Sequence, residues 1–121
     1  MLAQKNEVLK KWEAILEDIW KKSAGPIGEP VLRLIFNACI KKCLPAFEFL
    51  KKIKISDKGF DFEKLEKDIS KYSEKEIEKG FQNLLNQILI VFSILWDNLM
   101  IQYLHFFDNF ADRIDNNSLW I

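Results

Sequence analysis

The sequence predicts an all-α fold: a small four- or five-helix bundle with a long C-terminal helix that either kinks or reaches beyond its own core. Three observations carry that prediction. Apolar residues recur at helical spacing near the N-terminus and again through the C-terminal third. A Ser73-Glu74-Lys75-Glu76 capping box marks a helix start between the two stretches. Two of the three prolines and two of the four glycines fall within residues 23–30, as a corner between helices requires. With 121 residues, 49% of them hydrophobic, the chain reads as one domain, 1–121, able to bury a core without disulfide or metal staples.

Residues 2–22 place Val8, Leu9, Trp12, Ile15, Leu16, Ile19 and Trp20 on one helical face. The other face holds Lys10, Lys11, Glu13, Glu17, Asp18, Lys21 and Lys22 and reads as solvated. Glu7/Lys11, Glu17/Lys21 and Asp18/Lys22 stand in the supportive i, i+4 order. The Gly/Pro-rich stretch 23–30 follows as a tight corner. From Val31 to Cys43 nearly every position is apolar apart from Arg33, Asn37, Lys41 and Lys42, which predicts a mostly buried second helix. Pro45 removes a backbone donor and clashes with the preceding turn, so the helix must kink or restart before Ala46-Phe47-Glu48-Phe49-Leu50.

Residues 51–60 are polar around Ile53 and Ile55 and finish in Asp57-Lys58-Gly59, a surface loop or short extended piece. Phe62, Leu65, Ile69 and Tyr72 give a short third helix with Asp61 as its N-cap. After the capping box, Ile77, Phe81, Leu84, Leu85, Ile88, Phe92, Leu95, Leu99, Tyr103, Phe106 and Phe110 continue in helical period until Asp115-Asn116-Asn117-Ser118. The first and last helices are expected to supply most of the core. Gly80 marks a close backbone approach or a tolerated helix defect.

A straight helix over 74–110 would be about 55 Å long, whereas a compact chain of this size is only about 35 Å across. It therefore breaks near Asp97-Asn98 or packs on another copy or partner. Its polar stripe of Lys79, Asn83, Asn86, Ser93, Asp97, His105 and Asp108 is thin and is interrupted by Ile90 and Ile101. Four tryptophans and ten phenylalanines are a heavy aromatic load for one small core. Self-association is the expectation, with Ile90, Trp96, Asp97, Ile101, His105, Phe107 and Trp120 as interface candidates.

Charge and motif content exclude several functions. Eighteen basic and eighteen acidic side chains cancel, so no global field draws the chain to nucleic acid or an anionic membrane. One local excess stands out: Arg33, Lys41, Lys42, Lys51, Lys52, Lys54 and Lys58 against Glu48 and Asp57, with Phe47, Phe49 and Phe60 interleaved. It reads first as a solvated basic edge and is compatible with an acidic protein partner; nucleic-acid binding is not favoured. His105 is the single histidine, with Asp97 and Asp108 on roughly its helical face. No motif supplies a nucleophile or metal to act with it, so no catalytic residue and no enzyme activity is expected.

Cys39 and Cys43, at i, i+4, read as core cysteines rather than a metal or redox pair, and imply a reducing, cytoplasmic setting. The N-terminal residues show no signal-peptide pattern. The glycines form no phosphate-cradling loop, so no cofactor is expected. Ile88–Phe107 has the length of a membrane span. Asp97 at its centre would cost about 2.5–3.5 kcal/mol in a bilayer, which favours enclosure within protein.

The leading expectation is a non-catalytic helical protein-interaction or regulatory module that self-associates. One alternative is a sensor or carrier whose apolar pocket is lined by Trp12, Phe36, Phe92 and Trp96. Another is a peripheral membrane protein acting through the basic segment 33–58.

Overall fold

The structure, a computed structural model, describes residues 2–106, with side chains through Leu95. Its elements are α1 (Leu2–Ile27), α2 (Glu29–Cys43), a 3₁₀ turn (Glu48–Lys52), β1 (Lys54–Ser56), β2 (Gly59–Asp61), α3 (Glu63–Lys67), a second 3₁₀ turn (Ile69–Lys71) and α4 (Glu74–Phe106). The chain divides into two compact units, with the boundary between Ile88 and Leu89.

In the first unit α1 buries Leu9, Trp12, Leu16 and Trp20, the inner stripe of the amphipathic pattern. It runs through Gly25 and Pro26 and stops at Ile27, so the expected eight-residue corner shrinks to Gly28. Near a helix C-terminus Pro26 removes only one amide, the one that would reach the carbonyl of the exposed Lys22, where water can substitute. Gly28 adopts φ 93°, a conformation that a β-carbon disfavours. Its amide donates to the Ala24 carbonyl at 2.9 Å while its own carbonyl accepts from Leu32 at 3.0 Å, linking the two helices without a gap.

The second helix departs from expectation. Only Leu32, Phe36, Cys39, Ile40 and Cys43 are buried, while Val31, Leu34 and Ala38 are exposed. An almost wholly apolar helix is enclosed only where neighbours exist, and α2 has neighbours on one side. Even so it buries five core side chains against four from α1, so the core does not rest mainly on the first and last helices.

The segment expected as loop or extended chain is a two-stranded antiparallel hairpin. Lys54 pairs with Asp61, Ile55 with Phe60 and Ser56 with Gly59. Asp57-Lys58 form the two-residue turn, where the Lys58 amide donates to Ser56 Oγ at 3.2 Å. Gly59, at φ 112°, also lies against Trp20: a β-carbon there would sit 3.3 Å from the indole. The third helix is shorter than its apolar spacing suggested, and Phe62 rather than Asp61 occupies the cap position. Asp61 still accepts the Glu63 amide at 3.0 Å. The capping box is confirmed in its first half, with the Glu76 amide donating to Ser73 Oγ at 3.0 Å.

Two aromatic clusters fill this unit. Trp20, Phe36, Phe60 and Phe62 form one, with Phe36 and Phe60 stacked at 5.0 Å. Trp12, Phe81, Phe49 and Tyr72 form the other, with Trp12 stacked on Phe81 at 5.8 Å. Gly80 is the close approach that holds the second cluster: a β-carbon there would overlap the Phe49 ring. Of α4, Ile77, Phe81, Leu84 and Ile88 are fully buried at i, i+4, i+7 and i+11.

The second unit is described as helix through Phe106, with no break at Asp97-Asn98.

Candidate interaction surfaces

After Ile88 no described side chain of α4 is buried. Leu89, Ile90 and Ile94 are 53%, 54% and 58% exposed, and Val91, Phe92 and Leu95 are half-buried. Residues 89–106 nevertheless include only five polar side chains, Ser93, Asp97, Asn98, Gln102 and His105. The exposed Leu89, Ile90 and Ile94 make this the candidate interaction surface, since exposed apolar patches are found where proteins meet partners. Of the interface candidates, Ile90 is placed on this surface. Trp96, Asp97, Ile101 and His105 fall within α4, but their side chains lie outside the described residues, as do Phe107 and Trp120 altogether.

The basic segment separates into two groups. Lys51 pairs with Glu48, and Lys52 pairs with Asp68 while lying over the Tyr72 ring. Arg33, Lys41, Lys42, Lys54 and Lys58 make no ion pair among the described residues. Among the described residues, the acids that follow the segment reach its lysines only through Asp68, which pairs with Lys52. The interleaved aromatics do not form a stacking platform: Phe49 is buried, and Phe60 belongs to the Trp20 cluster. Lys54 joins Asp61, Glu63, Lys64 and Lys67 around a shallow depression of about 220 Å³, where Glu63 and Lys67 are paired at 3.3 Å.

Two of the four pocket candidates are core residues in different clusters. Trp12 stacks on Phe81, while Phe36 packs on Trp20 and Phe60. Phe92 is half-buried in the second unit, and the Trp96 side chain lies outside the described residues. Cys39 and Cys43 are free and buried, and burial pushes both thiols up, which leaves them protonated and poorly nucleophilic. Among the described residues no three His, Cys, Asp or Glu side chains gather as metal ligands.

Two carboxylates, Glu78 and the Glu13 that the sequence placed on a solvated face, are not simply solvated. Glu78 accepts from the Trp12 indole at 3.0 Å and from Lys11 at 2.9 Å, and these two hydrogen bonds hold its carboxyl below the usual range. Lys11 thus turns to α4 rather than to Glu7, beside an open groove of about 630 Å³ between α1 and the start of α4. Glu13 is half-buried, and its Oε2 has no hydrogen-bond partner. Burial first, then the carboxylates of Glu66 and Glu17, push its carboxyl up to about 7. Periodicity alone could not show either environment, since both depend on which helix lies opposite.

No family model matches the chain, and neither a curated protein nor a solved structure matches it. No helix among the described residues is long and apolar enough to cross a membrane. The apolar stretch 88–107 extends past the described side chains.

Proposed function

We propose that the chain is a non-catalytic helical interaction or regulatory module that self-associates through the second half of α4. The observation carrying this reading is the exposure of Leu89, Ile90 and Ile94 immediately after a stripe whose last member, Ile88, is fully buried. The fold in this reading is a four-helix bundle carrying one hairpin. Its α4 stays unkinked through Asp97-Asn98 and gains its missing neighbour from a second copy. A polar pair within an apolar seam favours one helix alignment over others, so Asp97 and Asn98 set the register. The free, buried thiols support work in a reducing compartment such as the cytoplasm.

The test is light scattering coupled to size exclusion at several concentrations. The wild-type chain is expected to run as a dimer or larger species, and the double variant Ile90→Glu/Ile94→Glu as a monomer with unchanged far-ultraviolet dichroism. A wild-type chain that stays monomeric at all concentrations overturns the reading.

A further inference from the structure

A solvated helix face ordinarily carries mostly polar side chains, whereas the outer face of α2 carries one neutral polar residue, the exposed Asn37, among apolar ones. Val31, Leu34 and Ala38 stand on it at i, i+3 and i+7, all exposed, and Leu34 at 71% is more exposed than any other large apolar side chain described. Lys41 and Lys42 continue the face one turn on, exposed and without ion pairs among the described residues. At 100° per residue, Leu34 and Lys41 lie opposite the buried stripe of Leu32, Phe36, Cys39, Ile40 and Cys43. The one acid of α2, Glu29, is exposed in the first turn but at 100° per residue falls within about 40° of the buried stripe's direction, away from the outer face. The outer face therefore carries Val31, Leu34 and Ala38 with Asn37 as its one neutral polar residue, and its only charges, Lys41 and Lys42, stand at one end.

We propose that this face docks an acidic amphipathic helix of another protein. The partner's apolar residues, spaced i, i+3, i+7, pack on Val31, Leu34 and Ala38, and its carboxylates, one turn further along, meet Lys41 and Lys42. The charge pattern selects against a second copy. Parallel pairing of two such faces sets lysines against lysines. Antiparallel pairing sets them against the partner's helix N-terminus, the positive end of its dipole. The pattern also differs from that of a membrane-surface helix, which carries bulky side chains inward and cations along both flanks. Here the apolar residues are Val, Leu and Ala, and the lysines sit at one end.

The proposal uses different residues from those on which self-association rests, and the two fail separately. Two fluorescent helical peptides of about four turns serve as probes. Both carry leucines at i, i+3, i+7, followed one turn on by two glutamates in one peptide and two lysines in the other. In anisotropy titrations of the full chain, the acidic peptide is expected to saturate at about 10–100 µM and to weaken with added salt. The basic peptide is expected to bind at least about tenfold more weakly. Lys41→Glu/Lys42→Glu reverses that preference, and Leu34→Glu weakens acidic-peptide binding about tenfold, with helicity and solution mass unchanged in both variants because the altered side chains are exposed.

Equal binding of the two peptides, absence of saturation with the acidic one, or indifference to Leu34→Glu overturns the proposal. A drop in oligomer mass on Leu34→Glu overturns it in favour of a second copy. Co-sedimentation with phosphatidylserine-containing vesicles that Leu34→Glu abolishes, without acidic-peptide binding, overturns it in favour of a membrane surface.

Discussion

The two halves of α4 reverse the usual relation between hydrophobicity and burial. Residues 74–88 carry five apolar side chains among mostly charged and amide residues, and four of those five are fully buried. Residues 89–95 are apolar at every position but Ser93, yet none is buried. Burial is decided by what lies opposite rather than by how apolar a segment is. Glu78, Gly80 and Phe81 meet Trp12, Phe49 and their neighbours, while Leu89, Ile90 and Ile94 meet solvent. The more hydrophobic half is thus the half that leaves its apolar side chains exposed, which is the observation behind the proposed self-association.

Truncation across the boundary gives the largest contrast. Phe81→Ala empties a site stacked on Trp12 and tilted against Phe49, and is expected to cost about 3–5 kcal/mol in urea unfolding. Ile94→Ala, measured below the concentration of self-association, is expected to cost under about 0.5 kcal/mol. A comparable loss for Ile94→Ala would place it in a core and break the comparison.

Gly80→Ala sharpens the contrast within the first half. In an ordinary helix interior the change stabilises by about 1 kcal/mol. Here the added methyl overlaps Phe49, so destabilisation of about 1–3 kcal/mol is expected, with a lower melting temperature as the readout. Stabilisation would mean that Phe49 yields freely and that the second aromatic cluster is loosely held.

The smallest effect concerns Glu13, whose carboxyl titrates near 7 when folded against 4.5 as its ordinary value. The folded state then holds a proton that the unfolded state releases between these values. Stability is favoured below about 4.5 and falls as the pH rises towards 7. Glu13→Gln keeps the neutral form and is expected to flatten that decline and to stabilise the chain at pH 8. Its partial exposure limits the gain to about 1 kcal/mol or less. A pH–stability curve unchanged by Glu13→Gln would place the carboxylate in solvent.

Much of the local structure was legible in residue order. Trp12, Leu16 and Trp20 announce the inner face of α1, Ser73 announces the start of α4, and Pro45 ends α2, each through chemistry acting within a few residues. The candidate site was legible only in part. Ile90 was singled out from an interrupted polar stripe, whereas Leu34 was assigned to the interior because α2 reads as apolar nearly all round. The hairpin was missed because Lys54–Asp61 is too short to display a two-residue period.

Residue order alone specifies the helical character, the capped start of α4 and the inner stripes of α1 and α4, because periodicity and capping act within a turn or two of backbone. Long-range packing is what sets Gly80 against Phe49, brings the Trp12 indole to Glu78 and strips water from Glu13 beside Glu66. It also leaves the outer face of α2 uncovered. Each of these depends on which distant segment arrives opposite, and side-chain contacts between residues tens of positions apart leave no periodic trace in the chain.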